Sequence, residues 1–166
     1  MEQAVSQLSA TSAALAALKL EMQTLASKLP EYPAVMEMFG VGPVLGPQLI
    51  AEIGDVRRFY SKKALVAYAG IDAPPNDSGD VIGRHKSMSK VGALSLRRTL
   101  FLVMSVYLQN SPPNEPIYQF INRKRAEGKP YRVYMMASAN KFLRIYYATV
   151  KAYLETLEQI CPYCVA

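Results

Sequence analysis

Neither proline nor glycine occurs between residues 2 and 29, and the stretch is rich in Ala, Leu, Gln and Lys. Intrinsic propensity and pattern therefore agree on one long helix. Leu8, Leu15, Met22 and Leu29 stand seven apart, and so do Ala4, Thr11, Leu18 and Leu25. The two series alternate by four and three, which is the a/d seam of a coiled coil. The stripe has two readings. It can pack on the chain's own core, or it can pair with a second copy through residues 2–29. A helix of this length with one apolar seam needs a partner of some kind.

The rest of the chain is cut by its prolines and glycines into shorter pieces. Pro30 and Pro33 end the first helix, and a short helix is expected over 33–38. Phe39-Gly40-Val41-Gly42-Pro43 then precedes the apolar run Val44 to Ile53. Helix, tight glycine turn, helix is the pattern of a helix-hairpin-helix, which contacts nucleic-acid backbone without reading sequence. Gly40 and Gly42 permit positive φ and close backbone approach, Pro43 suits a first helical position, and free amides at a helix start suit a phosphate. The competing reading is a plain helix–helix corner. Ser61 is expected to cap a helix from Lys62 to Tyr68, closed by Gly70. Residues 71–89 are irregular, with a small β-hairpin expected near 79–86. Helices follow over 91–109, 115–127 and from about 131 to 160, the last with Met135, Phe142, Ile145, Tyr146, Val150, Tyr153 and Leu157 facing the core. The fold expected is a small all-α domain over 30–160, preceded by the helix of 1–29 and followed by a tail, 161–166.

Charge is segregated. Residues 1–56 carry a net −4, whereas residues 57–151 hold seventeen basic and five acidic side chains, a net of +12. Such a block suits a polyanionic partner, against the plainer alternative of a solvated basic face. No window approaches the apolar length of a membrane span, and the N-terminus has no basic-then-apolar leader pattern. The setting expected is cytoplasmic, with no membrane partner.

Candidate chemistry is sparse. Cys161 and Cys164 form a Cys-Pro-Tyr-Cys after a helix, not between strand and helix as in a redox fold. They read as an inert tail, with half of a shared zinc site as the alternative. Asp72, Asp77 and Asp80 lie in a loop among basic groups and do not make a paired-metal site. Ser78 sits between Asp77 and Gly79, close in sequence to Arg84, His85 and Lys86. A hydroxyl held beside cations can attack phosphorus. Taken alone, Ser-Gly is ordinary turn chemistry.

An ordered series of short motifs resembles the C-terminal domain of the IS110/IS116/IS902 family of DNA transposases. The series runs from Met38 to Pro43, Leu49 to Asp55, Arg58-Phe59, Leu65 to Ile71, Ser78-Gly79, Ser87 to Gly92 and Leu96 to Arg98. It continues to Gly128-Lys129-Pro130 and the helix holding Lys141, Leu143 and Arg144, over roughly 35–150. The resemblance implies that Ser78 is the catalytic nucleophile, the serine preceding a Ser-Lys-Arg-Gly motif. Here that motif is Ser89-Lys90-Val91-Gly92, one cation short. The resemblance also implies DNA as partner, a structured guide RNA in some members, and assembly through a coiled coil. Mg²⁺ belongs to an RNase H-like N-terminal domain with four acidic residues. This chain lacks that domain, so it is expected to be a piece or a degenerate copy of the parent, with no cofactor or metal of its own, binding DNA yet failing to cut it. Expected nucleic-acid contacts are Gly40, Gly42, Arg84, Lys86, Lys90, Arg97 and Arg98. The alternative is a non-catalytic nucleic-acid-binding and dimerisation module.

Overall fold

The computed structural model describes residues 1–73 and 88–160, together with the backbone of 77–78 and 81–82. The elements are α1 (Glu2–Ala26), α2 (Tyr32–Met36), α3 (Leu45–Ile53), a single 3-10 turn (Val56–Arg58), α4 (Lys62–Tyr68), β1 (Asp77–Ser78), β2 (Val81–Ile82), α5 (Leu94–Asn110), α6 (Pro116–Ala126) and α7 (Tyr131–Ile160). The all-α expectation holds. The small hairpin is an antiparallel pairing of Asp77 with Ile82 and Ser78 with Val81, slightly N-terminal to its expected place. No described helix is long and apolar enough to cross a membrane.

The core is built around α7, which packs against α2, α4, α5, α6 and the 3-10 turn. Contact on several sides widens its apolar stripe beyond the one read from spacing. Met135, Phe142, Tyr146 and Val150 are buried as expected, and Ala139, Leu143, Tyr147 and Leu154 join them. Tyr153 is only partly covered. Burial pushes the pKa of the Tyr107 and Tyr146 phenols up, so both stay neutral. The Tyr147 hydroxyl donates to the Phe59 carbonyl at 3.0 Å, joining α7 to the segment before α4.

Local rules account for most boundaries. Ser61 caps α4 by accepting from the Ala64 amide at 3.2 Å, and Gly70 ends it at φ +65°. At the end of α6, Gly128 at φ +71° donates to Arg125 and Lys129 donates to Lys124. This is a Schellman closure, and it turns the chain back into α7.

Three boundaries differ from expectation. First, α1 stops at Ala26, not 29, because residues 27–32 coil into turns against its last carbonyls. Only Ala26 of α1 is buried, and Leu8, Leu15, Leu18, Leu25 and Leu29 lie exposed along the predicted seam. Second, Pro43 is not the first residue of α3. Val44 is the N-cap, and Pro47 stands third in the helix. Third, α5 begins at Leu94 rather than 91, because residues 89–93 are tied to the end of α4.

A cationic face beside the Ser78 loop

The two ends of the loop carrying Ser78 are held together by backbone. Ser89 N–H donates to Asp72 at 3.0 Å, Lys90 to Gly70 at 3.1 Å and Ala93 to Tyr68 at 2.8 Å. The Ser89 hydroxyl adds a bond to the Asp72 carboxylate. This stem imposes unusual backbone on its members. Lys90 has φ +55° and Gly92 φ +144°. Loops anchored on a rigid stem are a common way to present reactive groups.

The residues expected at the site divide three ways. Arg84, His85 and Lys86 lie outside the described residues, and of Ser78 only the backbone pairing is described. Lys90 and Arg98 are exposed. Arg97 is half-buried, and its guanidinium donates to the Ala69 carbonyl at 3.1 Å, bracing the stem. A guanidinium keeps further donors for other partners. Gly40 has φ +79°, and a Cβ there would meet the Tyr107 ring at 3.0 Å. Its role in packing is therefore independent of any ligand. Gly42 has no positive φ and open space where a Cβ would go. The Gly46 amide already donates to Gly42 at 2.8 Å, and Pro47 has no amide to offer. The start of α3 thus presents fewer free donors than the turn pattern promised, and the recess against it is lined by Phe39 to Leu45, Val106, Asn110 and Pro112, without a cation.

The cations that do converge lie on α6 and α7. A cavity of about 630 Å³ opens between these helices and the loop stem, lined by Ile71, Ala73, Met88, Phe120, Arg132, Val133, Met136, Ala137, Asn140, Lys141 and Arg144. Arg132, Met136, Asn140 and Arg144 recur every four residues, which places them along one face of α7. Lys141 donates to the Pro116 carbonyl at 3.0 Å and so fixes the start of α6 against α7. Its ammonium lies 5.0 Å from the Phe120 ring centroid, with Arg123 at 5.1 Å and Lys124 at 5.7 Å. No described carboxylate lines the cavity.

Ion pairing separates structural cations from available ones. Arg57 is held by Asp55 and Glu158, tying the 3-10 turn to the end of α7. The same guanidinium holds the Asp55 carboxyl below its ordinary value. Arg58 lies over the rings of Phe59 and Tyr68 at 4.7 and 4.8 Å. Lys124 pairs with Glu127, and Lys151 with Glu155. Among the described residues, Arg132, Lys141 and Arg144 enter no ion pair. Sequence reasoning favoured the loop and α5 and did not choose these residues. The four-residue spacing from Arg132 to Arg144 was the signal that could have found them.

Comparison with known proteins fits the resemblance read from the motifs. A pilin gene-inverting protein of Moraxella bovis is 32% identical over 113 residues, covering 68% of this chain and 34% of that protein. An uncharacterized 42 kDa protein of insertion element IS900 from Mycobacterium paratuberculosis is 30% identical over 118 residues, covering 70% of this chain and 29% of that protein. The chain thus spans about a third of the length of such relatives. The family described as "Transposase IS116/IS110/IS902 family" matches residues 32–119, from α2 into α6. Most of the cationic face lies beyond that match. With more than half its length in the family pattern, this chain belongs to the IS116/IS110/IS902 family of transposases.

Proposed function

We infer that this chain is the nucleic-acid-binding C-terminal part of a DNA transposase or recombinase. DNA backbone lies along the α6–α7 face, and Ser78, on the adjoining loop, attacks a DNA phosphate in the intact enzyme. The observation that carries the binding reading is the unpaired set Arg132, Lys141 and Arg144 around a cavity without a described carboxylate. Phosphate contacts of this kind give affinity without sequence readout. The stem from Tyr68 to Asp72 and Ser89 to Ala93 supports the loop reading, because Ile71, Ala73 and Met88, at the described ends of the loop, line the same cavity. Lys90, Arg98, Arg84 and Lys86 are proposed as further phosphate contacts, and the Gly40–Gly42 turn as a secondary one. A structured guide RNA is a further partner consistent with the same positive face.

Among the described residues no three His, Cys, Asp or Glu side chains gather where they could hold a metal ion. The described residues therefore offer no ligand set for the Mg²⁺ that the resemblance assigns to an N-terminal domain. In the proposed step the Ser78 oxygen forms a bond to phosphorus as the bond from phosphorus to a strand oxygen breaks, the hydroxyl proton ends on that leaving oxygen, and cations neutralise the charge that develops on the phosphate. The test is strand transfer by the intact enzyme bearing Ser78→Ala. Loss of transfer with DNA binding retained is expected, and unchanged transfer overturns the assignment. That second result would leave a binding and dimerisation module, a reading favoured by the uncovered leucines of α1. Sedimentation of the chain tests dimerisation through residues 2–29, and a monomer at micromolar concentration refutes it.

A further inference from the structure

We propose that the cavity between α6, α7 and the loop stem receives one unstacked nucleobase of a bound DNA strand. The inference rests on the nucleic-acid reading above but asks for more than phosphate contact. A surface that only follows backbone needs cations and no recess. This one combines cations with a cavity of about 630 Å³, well within the range of small-ligand sites.

The lining is graded in the way a nucleotide is. Ile71 and Met136 supply an apolar floor, Val133 an apolar rim and Phe120 an aromatic wall. Asn140 brings the one neutral amide, a donor–acceptor pair of the kind that matches a base edge. Arg132 and Arg144 stand twelve residues apart on the same helical face, about 18 Å by helical rise, on either side of Met136 and Asn140. A strand laid along this face with one base inserted near Asn140 would run its backbone phosphates past both guanidinium groups. Bases have apolar faces and polar edges, and their phosphates are anionic, so the three zones correspond. A second copy of this chain suits the lining less well, since burying these unpaired guanidinium groups against protein would require carboxylates opposite them.

The experiment uses the full chain and two single-stranded DNA probes of equal length. One carries bases and one is abasic throughout, so their charge is the same. The wild type is expected to bind the base-bearing strand about tenfold more tightly, the usual worth of one held base. Val133→Phe, at a half-exposed position, and Ala137→Leu both fill the cavity. Each is expected to lower that ratio towards one while leaving abasic-strand affinity and its salt dependence unchanged. Val133→Phe is the safer variant for folding, and circular dichroism checks both. A 2-aminopurine label should brighten on binding to the wild type and not to Val133→Phe. Equal binding of both strands by the wild type, or an unchanged ratio in both folded variants, overturns the base pocket and leaves the phosphate-binding reading standing. Failure of both strands to bind at low salt overturns both readings. Base dependence seen only with a matching RNA strand removes the DNA assignment. A change in oligomeric state with an unchanged ratio makes the cavity a protein contact and also overturns the proposal.

Discussion

Gly92→Ala should be among the most damaging single-methyl changes in the molecule, whereas Gly42→Ala should be almost silent. Gly92 has φ +144°, and a Cβ built there overlaps the Tyr68 carbonyl oxygen and comes within 3.0 Å of the Gly70 nitrogen. The oxygen cannot move freely, because it accepts from the Ala93 amide at 2.8 Å. An L side chain in that backbone region costs about 1–3 kcal/mol, and loss of the hydrogen bond adds about 1 kcal/mol. The sum is about 3 kcal/mol, and with a urea dependence of about 2 kcal/mol/M it lowers the unfolding midpoint by about 1.5 M. Gly42 has no positive φ and nothing within 4 Å of the added carbon. Its variant should stay within about 0.5 kcal/mol of wild type. Urea melts followed by circular dichroism measure both. A Gly92→Ala midpoint within about 0.3 M of wild type would refute the argument that close packing of the stem forces glycine there. Because Gly42→Ala keeps stability, its DNA affinity separately tests whether the hairpin turn lies against nucleic-acid backbone, where a roughly several-fold loss is expected.

Other consequences can be measured as directly. Arg132→Ala with Arg144→Ala should weaken DNA binding strongly at low salt and reduce the slope of log affinity against log salt by about 2; an unchanged slope places DNA elsewhere. Val91, 78% exposed, occupies the position of the arginine in the family's Ser-Lys-Arg-Gly motif, so Val91→Arg should steepen the same slope by about 1 without a cost in stability. Tyr147→Phe removes the donor to Phe59 and should cost about 1 kcal/mol in urea unfolding. The folded Asp55 carboxyl is held below its unfolded value chiefly by its hydrogen bond from Arg57. Its contribution is therefore present above about pH 4 and is lost as pH falls through the folded value. Asp55→Asn should flatten that acid limb by at most about 1 kcal/mol for so exposed a pair, and an unchanged acid titration would count against the bridge.

Much of the fold was legible because local chemistry decides it. Ser61 starts α4 and Gly70 ends it by contacts within a few residues, and each was found where expected. Where a boundary depends on distant backbone, the pattern failed. Nothing local stops α5 from beginning at Val91, and only the pairing of residues 89–93 with 68–72 does so. The same limit applied to the site. A glycine turn followed by an apolar run suggested free amides, but Gly46 spends its amide inside the turn and Pro47 has none. Charge counting found a basic half, yet it could not tell Arg57, neutralised by two carboxylates, from Arg132 and Arg144, which pair with none among the described residues.

The amino-acid sequence by itself determined the helical class, the long N-terminal helix with its apolar seam, the segregation of charge and membership in a transposase family. Those properties follow from residue type and short-range spacing, or from an ordered set of motifs. Tertiary structure alone decided which cations remain available, that Arg97 braces the Ala69 carbonyl, and that α6, α7 and the loop stem line one open cavity. Each of these depends on residues far apart in the chain. Such contacts exist only once α7 has brought the other helices around it.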